Sequence, residues 1–227
     1  MRHIIPWIPM KDRAAALEHA MEHAEYNKVV GNIFARLMNE IFDTTTRFPM
    51  LFMNTTRVQD GRPGVVSSAW LSAPSMRIDV LNLVDSLKKV MHMSTGAVLG
   101  SRFPYLSPAG GIGESFFVDG GYFDNSGSGT TLQVMLDIRK ALTTLFDKET
   151  ADTLSRKLRF KVLHLKNSSL KQATISAIHP LVNDLATPVL TIAQIGNGNT
   201  FIFDNMLKAE LRNQPHPALN YDSLSLS

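Results

Sequence analysis

Asp119 is the residue best placed to do chemistry. It follows an apolar run, Phe116-Phe117-Val118, and precedes Gly120 and Gly121. The run predicts a short buried strand, and the glycines predict a turn that takes unusual backbone angles and lets a second group come close. A carboxylate fixed at such a strand end can take the proton of a hydroxyl nucleophile and return it to a leaving group. The same residues also fit a plain strand and glycine turn, with Asp119 an ordinary turn acid. The loop continues as Tyr122-Phe123-Asp124-Asn125-Ser126-Gly127-Ser128-Gly129. Asn125 is expected to bond turn backbone, with a substrate contact as the alternative. Asp124 is a second acid close in sequence, but neighbouring turn side chains point apart, so a coupled pair is not expected. Ser126 and Ser128 sit in a Ser-Gly loop of the kind that is seldom catalytic.

Other reactive types are scattered. His19 and His23 have the four-residue spacing of helical metal ligands, but Ala20 stands where a zinc-protease helix carries Glu, and no third ligand is evident. A solvated helix face is the expected reading, and no metal or other cofactor is expected. Arg102 can serve a phosphate head group or a structural ion pair. His164 alternates with Leu163 and Leu165 and is expected on the solvent face of a strand. His92, His179 and His216 are isolated. The 11 Met and 12 Phe suit an acyl-chain pocket and an ordinary core equally well.

The elements that must hold these residues follow from periodicity. Residues 12–42 read as helical, with Asp12 as cap, Ala16, Leu17, Ala20, Met21 and Ala24 at helical spacing, and a break at Gly31-Asn32. Phe48 to Thr56 and Val65 to Trp70 read as a hairpin or neighbouring strands around the turn formers Asp60-Gly61-Arg62-Pro63-Gly64. Val80 to Met91 reads as a helix, and Ser94-Thr95 as the cap of a short helix reaching Leu99. Thr130 to Phe146 is amphipathic. Arg159 to Leu165 alternates as a strand, and Ser168 to Ala177 reads as loop. Leu181 to Ile195 and Phe201 to Leu211 read as two helices separated by Gly196-Asn197-Gly198-Asn199. The tail 215–227 is Pro-, Ser- and Asn-rich and is expected to be flexible, leaving 1–214 as the folded part. Strands mixed with long helices predict an α/β fold.

The order of these segments resembles the patatin-like phospholipases, in particular a bacterial subgroup. Leu51 to Val58, ahead of Asp60-Gly61, is similar to a family strand ending in Asn-Thr/Ala-Thr. Ser94-Thr95 and the stretch Ser101 to Gly110 resemble the helix and Phe-Pro loop before the aspartate motif. Asp119-Gly120-Gly121-Tyr122-Phe123-Asp124-Asn125-Ser126-Gly127 is the closest match, and Val162 to Asn167 resembles the strand after the next helix. The resemblance covers residues 45–170. It implies part of a three-layer α/β/α fold and hydrolysis of acyl lipids by a Ser–Asp dyad. In that dyad Asp119 is the base, with Gly120, Gly121 and Asn125 in the supporting motif.

The chain departs from the pattern in one respect. No serine has glycine two residues before and two after it, and no glycine-rich oxyanion loop precedes the helical start. Gly110-Gly111-Ile112-Gly113 and Gly196-Asn197-Gly198 lie in the wrong place. The resemblance therefore implies the C-terminal portion of such a protein, inactive alone. Its nucleophile would lie in a missing N-terminal half or a second chain. A pseudoenzyme, or a binding module for a partner protein or membrane surface, is the alternative. Removing the nucleophile strands would leave an open sheet edge, so the isolated chain is expected to be oligomeric, partner-bound or poorly soluble.

Composition bounds the remaining classes. Hydrophobic residues at 44% and charged residues at 19% fit a globular core rather than disorder. The absence of cysteine removes disulfides, thiolate metal sites and a cysteine nucleophile. The net charge of +3 is small and its cations are scattered, which argues against a nucleic-acid groove. No stretch approaches the ~18 apolar residues of a membrane span. The start, Met1 to Pro9, is apolar but broken by prolines and lacks the features of a signal peptide. It can touch a membrane or partner, with packing the expected role. The location read from this is cytoplasmic or peripheral to a membrane.

Overall fold

The computed structural model describes residues 13–24, 31–41, 49–69, 76–103, 107–166, 180–214 and 221–225. They form an α/β protein whose chain divides into two compact units. Asp12, Phe48, Trp70, His179, His216 and the predicted loop 168–177 lie outside the described residues.

The first unit ends at Gly120 and is built on a five-stranded mixed sheet in the order β3-β2-β1-β5-β4. Strands β1 (Phe52–Arg57) and β2 (Pro63–Ser67) form the predicted antiparallel hairpin, with Gly61 at φ +67° in its turn. Here the left-handed region requires glycine. Strand β3 (Ile78–Asp79) is parallel to β2. Strand β5 (Ser115–Asp119) runs antiparallel to both β1 and β4 (Gly110–Ile112). β4 was not expected from the sequence, because a Gly-Gly pair carries no strand pattern. It forms because Gly111 and Ile112 pair with Phe116 and Ser115 across a tight turn.

Val66, Val80, Val84, Met91, Leu99 and Phe117 form the core of this unit with Met38. Helix α3 (Val80–Ser86) is capped by Asp79, whose carboxylate accepts from Asn82 N–H at 3.0 Å. It stops five residues short of the predicted end, and Met91 reaches the same core from the following loop. The region 12–42 is interrupted as expected. Helix α1 (Arg13–His23) is followed, after Gly31, by a 3-10 turn (Ile33–Ala35) and the single turn α2 (Met38–Ile41).

The packed face of α1 differs from the predicted one. Leu17 is 50% exposed, and Ala16 and Ala20 are also exposed, while Ala14 is buried. The face turned inward carries Glu18 and Glu22, which bond helix α4 (Met93–Leu99). Ser94 is accordingly not a cap. It lies buried in the first turn of α4, and its hydroxyl donates to Glu22 Oε1 at 2.5 Å.

The second unit takes up the chain from Gly121. Helix α5 (Ser128–Leu145) and helix α7 (Pro180–Arg212) pack through Leu132, Met135, Leu207 and Leu211. Helix α6 (Lys148–Lys157), capped by Asp147 on Thr150 N–H, follows α5. Its strongly polar composition gives it no apolar stripe in the sequence. α7 is continuous through Gly196-Asn197-Gly198-Asn199, where the sequence predicted a break. Strand β6 (Val162–Lys166) pairs in parallel with β7 (Tyr221–Ser225), which lies within the polar tail.

Candidate active site

Asp119 occupies the last position of β5, opposite Thr55 of β1. It is half-buried, and its N–H donates to the Arg102 carbonyl at 2.9 Å. The sequence places it there because Phe117, fully buried, and Val118 anchor the strand in the core, and the glycines then end the apolar run. The Thr55 hydroxyl is buried and donates to the Val118 carbonyl at 2.6 Å, fixing the strand end from the side.

Gly120 acts through its size. Neither Gly120 nor Gly121 has a positive φ. A Cβ on Gly120 would stand 2.6 Å from the Asn54 backbone and side chain, and one on Gly100 would stand 2.3 Å from the Asn54 carbonyl oxygen. Gly120 N–H also donates to the Gly100 carbonyl at 3.3 Å. Asn54 on β1, Gly100 after α4 and Gly120 after β5 thus meet at backbone contact. Gly100 was not singled out in the sequence; its clue is the short helix ending there.

Arg102 meets Asp119 through its backbone carbonyl, and its guanidinium head is committed elsewhere. It is 8% exposed, donates from Nη2 to Glu18 at 2.9 Å and from Nη1 to the Pro108 carbonyl at 3.0 Å. Of the two readings offered by the sequence, the structural ion pair is the one formed. Glu22 is held below its ordinary carboxyl range, first by the Ser94 hydroxyl and then by His92, with burial opposing. His19 and His23 stack with ring centroids 3.9 Å apart, and His23 Nδ1 bonds the His19 carbonyl. Among the described residues no group of three or more metal-ligand side chains forms.

In the second unit, the loop after the motif is a built cap. Asp124 is buried, and its carboxylate accepts from the N–H groups of Ser126, Gly127 and Gly129 and from the Ser126 hydroxyl. Gly127, at φ +74°, turns the chain into α5. Asp124 therefore does the turn-bonding expected of Asn125. Asn125 itself is exposed and is fixed through its N–H, which donates to Thr200 Oγ1 at 2.9 Å. The Ser128 hydroxyl donates to Asp204 Oδ1 at 2.5 Å, and both residues are buried, at 2% and 3% exposure.

α7 supplies these partners at helical spacing. A Cβ on Gly196 would lie 2.2 Å from the Gly121 carbonyl oxygen, Thr200 meets Asn125, and Asp204 meets Ser128. The missing side chain of Gly196 thus admits the motif loop against the unbroken helix. By local pattern alone the same glycine reads as a separator between two helices. His164 is also corrected. It lies on the partly buried side of β6 with Val162, while Leu163 and Leu165 face outward at 57% and 60% exposure.

Among the described residues no helix is long and apolar enough to cross a membrane. No family model, no curated protein and no solved structure matches this chain.

Proposed function

We propose that this chain is the aspartate-bearing part of a patatin-like serine lipid acyl hydrolase of three-layer α/β/α type, which cleaves carboxylic esters of phospholipids or other acyl lipids. The observation that carries the reading is the strand end at Asp119. Asp119 closes β5, half-buried, and Gly120 beside it is packed against Asn54, which fixes the strand end that carries the carboxylate. The dyad chemistry is simple. Asp119 would take the serine proton as the hydroxyl attacks the ester carbonyl, and would pass it to the leaving alcohol.

The nucleophile is not supplied by the loop serines. The Ser126 hydroxyl donates a hydrogen bond to Asp124 and the Ser128 hydroxyl donates one to Asp204, at the start of α5. The serine is assigned to a Gly-x-Ser-x-Gly segment on a preceding half or a second chain.

An esterase assay with a short acyl ester tests this. The chain alone should be inactive and should not react with a fluorophosphonate. Supplying a patatin-type Gly-x-Ser-x-Gly segment, fused ahead of Met1 or as a second chain, should give hydrolysis. Asp119→Asn should abolish that hydrolysis, and Ser126→Ala should keep it. Hydrolysis that survives Asp119→Asn overturns the assignment.

A further inference from the structure

The extended segment from Arg159 to Leu165 has two unlike faces. Phe160, Val162 and His164 are partly buried. Phe160 and Val162 pack on the α5–α7 core, and the Phe160 N–H donates to Gln214. The alternate residues Arg159, Lys161, Leu163 and Leu165 are all exposed. Side chains two apart on a strand recur about every 6.6 Å, so the outward line reads cation, cation, leucine, leucine. Arg156 and Lys157, also exposed, add charge where α6 ends. Arg159 lies close to them, since its Nη1 donates to the Arg156 and Leu158 carbonyls.

Charge sharpens the pattern. Arg156, Lys157, Arg159, Lys161, Lys166 and Lys171 are the only charged residues between Asp152 and Asp184. The chain as a whole has 23 Lys and Arg against 20 Asp and Glu, so outside this stretch acids outnumber bases. A local excess of cations beside two exposed leucines suits an occupant with an anionic plane over an apolar layer. A second copy of the chain would bring cations against cations. An acidic protein would have to match the cation–leucine order in one register, whereas a lipid surface matches it in any rotation about its normal.

We infer that the outward face of Arg159, Lys161, Leu163 and Leu165, with Arg156 and Lys157, docks on anionic lipid membranes. The cations lie at phosphate depth and the two leucines reach below it. The β6 backbone stays at the hydrated level, where its polar groups keep water. This surface is independent of the dyad assignment, since it rests on β6 and needs no catalysis.

Co-sedimentation of the full chain with vesicles tests it. One set is phosphatidylcholine alone, and the other contains about one third phosphatidylglycerol. The chain should bind the anionic vesicles and not the neutral ones, and binding should weaken as salt rises. The pair Arg159→Glu and Lys161→Glu should weaken binding by about tenfold or more. Leu163→Ser with Leu165→Ser should remove the part of the binding that survives high salt. All four side chains are exposed, and circular dichroism checks that each variant keeps the fold. No binding to anionic vesicles, equal binding to neutral ones, or binding unmoved by either pair overturns the proposal. So does equal affinity for heparin with no effect of the leucine pair, which would assign the face to soluble polyanions or acidic proteins.

Discussion

The two units place their aspartates in different settings. In the second unit the Ser126–Asp124 and Ser128–Asp204 pairs have the atoms of a dyad, yet both hydroxyls are tied into the start of α5 or its contact with α7. In the first unit Asp119 ends a strand, half-buried, beside a glycine packed against backbone. A hydroxyl–carboxylate hydrogen bond is therefore a poor sign of a nucleophile on its own. Buried at a helix start it is a cap.

The sharpest way to break this contrast lies in α7. Gly196→Val should destabilise the second unit by about 3 kcal/mol or more, because the new side chain meets the Gly121 carbonyl, which cannot move aside. Gly198→Ala, two residues on and with open space around it, should be neutral or stabilising by up to about 1 kcal/mol. Urea unfolding followed by circular dichroism reads both.

A smaller effect is expected at the carboxylates. Asp204→Ala should cost about 2–3 kcal/mol by leaving the buried Ser128 hydroxyl without its acceptor. Asp124→Ala should cost about 2 kcal/mol through the lost α5 cap. Asp119→Asn should cost less than either in the same assay, while abolishing the hydrolysis of a complemented enzyme. A larger stability loss at Asp119 than at Asp204 would reverse the roles given to the two units.

The smallest effect is the acid response of the first unit. Glu22 is lowered from 4.5 in the fold, so its bonds to Ser94 and His92 contribute fully above the unfolded value and fade as pH falls through the folded one. Amide exchange in α1 should accelerate in that window. Glu22→Gln should flatten the response. Asp60, lowered to about 2 chiefly by the Arg57 side chain, should keep the hairpin turn ordered until pH falls from about 4 toward that value. Chemical shifts of Gly61 can follow it.

Much of the first unit was legible. The β1–β2 hairpin, the β5 strand ending at Asp119 and the short helix before Gly100 follow from apolar alternation and turn residues. The α1 face was not, because its inward contacts are glutamates that find Ser94, Thr95 and Arg102 only in the folded state. In the second unit α5 and β6 were legible by period. α6 was too polar to show a stripe, and β7 is paired to a strand more than fifty residues away in sequence, a contact no local pattern records.

By itself the sequence determined that an aspartate would close a buried strand, that a glycine turn would follow, and that a long amphipathic helix would come next. These depend on neighbours a few residues apart, whose apolar spacing and backbone freedom act locally. Tertiary structure alone decided which glycine gives room to which backbone, that Asp204 takes the Ser128 hydroxyl, and that Arg102 is spent on Glu18. It also decided that α7 stays whole at Gly196. Each of these is settled by partners far away in the chain, and the partner's distance and burial, not the residue's type, determine what the side chain can do.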